Sequence, residues 1–446
     1  TDVPSHLESR KMSLDNDRYP DVNLNLNVRG LTQSATLAIN EHCAQLHRQG
    51  KEVYRLGLGQ SPFPVASPVV EELKANAHQK DYLPVKGLPQ LRDAVAEYHR
   101  RQEGIEYSGS DVLVGPGSKE LMFLIQLVYY GDLVIPTPSW VSYAPQANII
   151  GRHIRWVPTR MEDDWRITPQ GLHDLCSSDA TRPRILILNY PNNPSGASYS
   201  SEELQALAET ARRYKIILIS DEIYGELHFE GRHESIARYY PEGTIISAGL
   251  SKWCGAGGWR LGTFTFPSSL RWLLDAIAVV ASETFTSTSA PIQHAAVRAY
   301  QGGIEIERYL HNSRRILMAL AGSLTRRLRE TGVSVPQPNG AFYLFPCFAA
   351  FQDDLRHRGI TGSNELCERL LQETGVAMLP GSEFGHSPDK WTARMALVDF
   401  DGARALIDAE TIPLQDPLPD DFAEVHCQRV VVAIGKICDW LRNGSR

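Results

Sequence analysis

Paired cysteines, long apolar runs, internal repeats and an excess of basic residues are all missing from this chain, and each absence removes a class of protein. The 446 residues hold seven cysteines, an odd number with no CxxC spacing. Neither a disulfide framework nor a thiolate zinc site is indicated, and a reducing compartment fits better. Lys and Arg total 45 against 52 Asp and Glu, a formal net charge of −7, whereas a nucleic-acid or anionic-membrane partner calls for a basic face. The one dense basic cluster, Arg326-Arg327-Leu328-Arg329, reads as the solvated side of a helix. No uninterrupted apolar run approaches the ~20 residues of a membrane span, and the first thirty residues are polar, without a signal-like apolar core. The expectation is a cytoplasmic protein whose partners are small molecules, with no nucleic acid, no membrane and no metal. With 42% hydrophobic residues, a chain of this length fills a large core in two packed domains.

Short apolar runs alternate with amphipathic segments for nearly three hundred residues. The patterning predicts strands at Asp111–Val114, Leu133–Pro136, His153–Val157, Arg184–Asn189, Ile216–Ser220, Thr244–Ser247 and Arg260–Phe266. Helices are predicted between them, at Leu88–Glu103, Lys119–Tyr129, Trp140–Ile150, Ser201–Tyr214 and Leu270–Ser282. Such alternation implies an α/β fold with a mostly parallel central sheet. Ile185-Leu186-Ile187-Leu188 and Ile216-Ile217-Leu218-Ile219 are apolar at every position, as strands covered on both faces are. A helix over Ile304–Thr331 leads to a mixed α+β texture: strands near Ala341–Phe345, Val376–Leu379 and Arg394–Val398, helices near Asn364–Glu373 and Glu424–Arg442. We divide the chain into an N-terminal arm and helix (1–60, with the helix at Ser34–Gln49), a large domain (61–325) and a smaller C-terminal domain (326–446) that the arm joins.

In open α/β sheets the chemistry gathers at the carboxyl ends of the strands, and polar signals stand there in series. Gly115-Pro116-Gly117-Ser118-Lys119 leads into a helix, where free backbone N–H groups and a hydroxyl make an anion site. Tyr190-Pro191-Asn192-Asn193-Pro194-Ser195-Gly196 is a rigid turn that presents an amide. Asp221-Glu222-Ile223-Tyr224 ends a buried strand, and an acid there is costly without a cationic partner such as a protonated pyridine. Ser251-Lys252 is trailed by Gly258-Trp259-Arg260-Leu261-Gly262, a lysine and an arginine among glycines that let a phosphate or flat ring approach the backbone. An ε-amine becomes nucleophilic when burial or a neighbouring cation removes its charge. Taken one at a time, Ser118, Asn193 and Asp221 are equally well caps of turns and helices; together with Lys252 they are a site.

At this point the chain resembles the class I aminotransferases, fold type I enzymes that use pyridoxal 5′-phosphate. Matching positions occur in the family's order from about Leu31 to Val398: Leu58-Gly59, Tyr82-Leu83-Pro84-Val85-Lys86-Gly87, Gly117-Ser118-Lys119, Trp140, Asn193-Pro194-Ser195-Gly196, Asp221 and Tyr224, Lys252 with Arg260, Gly340-Ala341-Phe342-Tyr343, and Arg394. The resemblance implies that Lys252 carries the cofactor as a Schiff base and later moves the Cα proton. It implies that Asp221 keeps the pyridine nitrogen protonated, that Tyr224 and Asn193 bond the phenolic oxygen, and that Trp140 stacks on the ring. Gly117, Ser118, the Lys119 backbone, Arg260 and Tyr82 from a partner subunit are implied to hold the phosphate, hence a homodimer with shared sites. Gly59 and Asn193 are placed against the substrate, whose α-carboxylate Arg394 grips with its planar fork.

The implied reaction is ping-pong transfer of an amino group from an L-amino acid to a 2-oxo acid. In the resembling subgroup, Thr36 and Lys119 go with recognition of a distal carboxylate, as in aspartate, glutamate or prephenate. The alternatives are an aromatic or broad-specificity aminotransferase, or a lyase on the same cofactor. Three departures stand out. Gln60-Ser61-Pro62 replaces a usually acidic loop at the substrate entrance. Gly249 and Gly257 remove hydroxyls, and Asp408 to Asp421, rich in Pro and acid, reads as an inserted loop.

Overall fold

A computed structural model describes residues 23–444, so the first 22 residues of the expected N-terminal arm lie outside the described residues. Seven strands form the central sheet: β1 Val112–Gly115, β2 Asp132–Thr137, β3 Ile154–Pro158, β4 Arg184–Asn189, β5 Ile217–Asp221, β6 Thr244–Gly249 and β7 Gly262–Thr265. Their spatial order is β1-β7-β6-β5-β4-β2-β3. Every pairing is parallel except those of β7, which runs antiparallel to both β1 and β6.

The unbroken apolar runs are explained by what covers them. In β4, Ile185 and Ile187 point into one layer with Leu121, Ile125, Leu274 and Ile277, on helices Ser118–Val128 and Arg271–Ser282. Leu186 and Leu188 point into the other with Leu172, Leu204 and Leu207, on helices Pro169–Cys176 and Ser201–Arg213. Each such side chain fully removed from water contributes roughly 1.5–3 kcal/mol, so the sheet is held from both faces and its carboxyl edge is a rigid platform. Strands two to four residues long make up the smaller sheets. Tyr54–Arg55 pairs with Val376–Ala377, and Ala393–Ala396 lies between Tyr343–Leu344 and Leu379–Pro380. Arg394 therefore stands on the central strand of the three-stranded sheet.

Several boundaries differ from the sequence reading. Helices Ser67–Asn76, Pro169–Cys176 and Ala290–Gln301 were not anticipated. All three carry Pro in the first turn, where it starts a helix instead of breaking one. The helix expected at Glu424–Arg442 is interrupted at Cys427, giving Phe422–His426 and Gln428–Gly444. The expected insertion also begins later than Asp408, because helix Gly402–Glu410 includes that residue. Buried Arg315 on the long helix ties this segment down, donating to Ala409 O at 3.3 Å and Pro413 O at 2.9 Å. Among the described residues no helix is long and apolar enough to cross a membrane.

Candidate active site

The carboxyl ends of β1, β4, β5 and β6 open on a cleft of about 560 Å³. Because β7 is antiparallel, its first residue, Gly262, lies opposite Gly115 of β1 and Gly249 of β6. Arg260 is thus delivered to the same edge as Ser118 and Lys252. It sits in the left-handed region (φ 55°), a turn that separates it from the strand it was expected to begin.

Lys252 follows β6 and donates from Nζ to Gly59 O at 2.6 Å. Burial in the cleft lowers its pKa to about 7, helped by the charges of Arg394 and Arg260 and opposed by Asp221. Asp221 closes β5 at 4% exposure. Its Oδ2 accepts from Tyr143 Oη at 2.5 Å and its Oδ1 from Ser247 Oγ at 3.3 Å. Burial nonetheless raises its pKa to about 6, the two hydroxyls pulling the other way. A buried carboxylate in that position gains from a cationic partner in the cleft.

Arg394 is completely buried. Its Nη1 donates to Asn193 Oδ1 at 2.9 Å and its Nη2 to Gly57 O at 2.5 Å. The guanidinium lies 4.7 Å from the Tyr343 ring centroid and 4.9 Å from that of Phe384, and Nε has no hydrogen-bond partner among the described residues. A buried cation with a spare donor is a receptor for an anion. Tyr224 Oη is 2.6 Å from Tyr343 Oη.

The anion end of the cleft is built by close approach. Ser118 starts an eleven-residue helix after Gly117, whose φ of 94° favours glycine. A Cβ on Gly117 would lie 2.4 Å from the Arg260 guanidinium, and one on Gly262 2.1 Å from Ser118 N. First-turn N–H groups, a hydroxyl and Arg260 therefore converge. Lys119 stands beside them, 5.4 Å from the Trp140 ring, its pKa lowered by burial and by Arg260.

The structure brings together Thr36, Gly59, Ser118, Lys119, Trp140, Asn193, Asp221, Tyr224, Lys252, Arg260 and Arg394 around this cleft, with Gly117 behind Arg260. Thr36 Oγ1 also bonds Ser34 Oγ at 3.0 Å at the start of its helix. Tyr82 does not line the cleft of its own chain and is 90% exposed. Three residues escaped the sequence reading. Tyr143 shares a short helical turn with Trp140, and three-residue spacing was the available signal. Asn189 pairs with Asp221 across β4 and β5, donating from Nδ2 to Asp221 O at 2.9 Å and accepting from Asn193 N at 2.8 Å. Tyr343 was seen only as part of a motif.

Among the described residues, Lys119, Lys252, Arg260 and Arg394 line the cleft against one carboxylate, Asp221. This favours ligands bearing two or more anionic groups. Among the described residues no cluster of three metal-binding side chains exists. A phosphate cradle, a low-pKa lysine, a buried acid opposite it and an aromatic wall fit pyridoxal phosphate, and the unpaired Arg394 donor fits a substrate carboxylate.

Comparison with known proteins agrees. The family model described as aminotransferase class I and II matches residues 51–400. The aspartate aminotransferase of Geobacillus stearothermophilus is 33% identical over 372 residues, 81% of this chain and 91% of the relative. The aspartate/prephenate aminotransferase of Thermus thermophilus is 32% identical over 367 residues, with shares of 81% and 91%. The solved structure of aspartate aminotransferase from Thermus thermophilus with maleate superposes with a TM-score of 0.79 at 27% identity, covering 94% of this chain and 100% of that one. Sheet order, cleft chemistry and sequence thus converge on one assignment: the chain belongs to the aminotransferase class I and II family of fold type I, whose members move amino groups between amino acids and 2-oxo acids with pyridoxal phosphate.

Proposed function

We propose that this aminotransferase acts on acidic L-amino acids and their 2-oxo acids by a ping-pong mechanism, and that the residues gathered in the cleft do the work. The observation that carries the reading is that Lys119, Arg260 and Arg394 line the cleft as cations besides Lys252. Arg260 and the cradle at Ser118 neutralise a phosphate and Arg394 an α-carboxylate. Lys119 is left over as a cation for a second carboxylate, with Thr36 lining the same cleft. Relatives named aspartate or aspartate/prephenate aminotransferases support it.

When bound, pyridoxal phosphate supplies a carbonyl that takes up the amino group and a ring that withdraws electrons from the substrate Cα. Lys252 would hold it, and its free Nζ would carry a proton to and from Cα, a task suited to a pKa of about 7. Asp221 would hold a proton on the ring nitrogen, and Tyr143 and Ser247 fix the direction of that carboxylate. Tyr224 and Asn193, which line the same cleft, would hydrogen-bond the phenolic oxygen, and Trp140 would pack on the ring. Asn193 also joins Arg394 to this set, so substrate and cofactor sites share one hydrogen-bonded frame.

The division at 1–60, 61–325 and 326–446 belongs to this reading, supported by the pairing of Tyr54–Arg55 with Val376–Ala377. So does a homodimer in which Tyr82 serves the neighbouring site, supported by its 90% exposure away from its own cleft. Sedimentation at one chain mass with full activity would overturn it. A second reading has its own support: Leu37, 46% exposed, and Trp140 line the cleft and suit an aromatic side chain.

Lys119→Ala and Arg394→Ala separate the two. A desolvated ammonium facing a carboxylate contributes a few kcal/mol, and nothing to an apolar side chain. Lys119→Ala should lower kcat/KM for aspartate or glutamate by about 10²-fold, for a loss near 3 kcal/mol, and leave phenylalanine nearly unchanged. Arg394→Ala should harm all substrates alike. Equal losses for acidic and aromatic substrates in Lys119→Ala would reassign Lys119 to the phosphate cradle and favour the aromatic reading.

A further inference from the structure

Two phenols meet in the cleft: Tyr224, three residues beyond the end of β5, and Tyr343, from the three-stranded sheet. Tyr224 is 2% exposed and Tyr343 1%. Their hydroxyl oxygens are 2.6 Å apart, and their rings meet edge to face with centroids 5.5 Å apart. The sheet fixes the Tyr343 ring. It stands opposite Ala396 on the strand Ala393–Ala396, so Arg394, two residues along, shares its face. The guanidinium accordingly rests 4.7 Å from the ring centroid. Gly59 fixes the hydroxyl: a Cβ there would collide with Tyr343 Oη, and the carbonyl of the same glycine accepts from Lys252 Nζ.

Both phenols keep their protons at neutral pH. Burial raises the pKa of each, and the positive charge of Arg394 opposes that rise without reversing it. The other charged groups near the pair are Lys252, 5.6 Å from the Tyr224 ring centroid, and Asp221. The pair therefore holds two hydrogens, and the bond between the oxygens uses one. Tyr343 Oη has no hydrogen-bond partner but Tyr224 Oη among the described residues. With a phenolic oxygen before Tyr224, donation from Tyr343 to Tyr224 pairs both hydrogens. Donation the other way leaves the hydrogen of Tyr343 buried and unpaired, which is costly.

We propose that Tyr343 is a positioning residue for the reaction: its hydroxyl donates to Tyr224 Oη and so commits the Tyr224 hydrogen to the phenolic oxygen of the cofactor. The inference rests on the assignment of Tyr224 given above. A hydroxyl that accepts one hydrogen bond is polarised and makes a stronger one to an anionic oxygen. The ring beneath Arg394 is a separate contact, and phenylalanine keeps it.

The test is the absorbance of the protein loaded with pyridoxal phosphate, titrated between about pH 5 and 10, in the parent, Tyr343→Phe, Tyr224→Phe and the double variant, with the dissociation constant read from the same signal. The deprotonated chromophore carries the negative oxygen that the hydroxyls stabilise, so losing either hydroxyl raises the midpoint. Tyr343→Phe should raise it by about half a unit and weaken binding by about threefold. Tyr224→Phe, which removes the direct bond, should raise it by about one to two units. In the Tyr224→Phe background, Tyr343→Phe should add nothing further, a non-additivity that a packing role would not give. The same shift appearing again in that background would overturn the proposal, because Tyr343 would then act without Tyr224. An unchanged midpoint in Tyr343→Phe beside a raised one in Tyr224→Phe would overturn it while leaving the assignment of Tyr224 intact. No shift in Tyr224→Phe would remove that assignment and the proposal with it. Should Tyr224→Phe fail to hold the cofactor, Tyr343→Phe alone decides: a raised midpoint supports the proposal and an unchanged one overturns it.

Discussion

The carboxylate of Asp221 depends on a phenol that the sequence reading passed over. Tyr143 is buried at 1% exposure, and its bond to Asp221 Oδ2 is the shorter of the two side-chain bonds that oppose the rise in the Asp221 pKa. A hydrogen bond to a charged group contributes about 1.5–3 kcal/mol. Tyr143→Phe keeps the ring edge on Trp140, 5.2 Å away, and removes only that bond. It should weaken retention of pyridoxal phosphate by about tenfold or more, most strongly on the acid side where Asp221 protonates. Unchanged affinity by absorbance titration would show that Ser247 alone suffices. Lys252, Asp221, Asn193 and Arg260 were legible because their chemistry needs those residue types beside glycine or proline at strand ends. Tyr143 and Asn189 were not, because a tyrosine in a helical pattern and an asparagine ending an apolar strand have ordinary structural uses. Only the register of β4 against β5 and the turn after Trp140 give them a target.

Among the secondary-structure elements, the antiparallel strand β7 decides the geometry. Its glycine at position 262 lets β1 and the helix that starts at Ser118 come close to the turn that carries Arg260, where the proposed phosphate cradle lies. A methyl group there would stand 2.1 Å from Ser118 N, against backbone that cannot rotate away. Gly262→Ala should therefore destabilise the fold by about 1–3 kcal/mol, as overpacking does, and weaken pyridoxal phosphate binding at least in proportion. A melting temperature and dissociation constant equal to those of the parent would contradict the close approach. Strands β4 and β5 were found within one residue because each is built on an unbroken apolar run, residues 185–188 and 217–219, that ends in polar residues. That β7 runs the other way was not legible, since its apolar run looks the same in either direction. The helices with proline in the first turn were lost because the same residue signals a break and a start.

For the whole molecule, burial of histidine sets the acid limit. His99, wedged against Tyr98 and Tyr107 with ring centroids 5.2 and 6.2 Å away, and His386, 5% exposed, both have pKa values lowered to about 4 by burial. Each takes up a proton only on unfolding once pH falls below about 6.5, so stability is lost from there down to about 4, by up to about 1.4 kcal/mol per pH unit for each group. Asp221 opposes one of them, because its raised pKa lets the folded state bind a proton first below about 6. The melting temperature should therefore drop between pH 6.5 and 4.5, and His99→Phe should flatten that drop; an unchanged slope would mean that His99 is not buried neutral. Net charge and the missing apolar runs excluded membranes and nucleic acids as partners in the sequence reading, but they are silent on the cleft, where positive charge is gathered against the sign of the chain as a whole. The central claim is that this cleft is a pyridoxal phosphate site hinged on one lysine. Borohydride reduction of the loaded protein, followed by peptide mass mapping, tests it most directly. The pyridoxyl group should be found on Lys252 and should be absent from Lys252→Ala, which stays folded; its recovery on Lys119 or any other lysine would contradict the account.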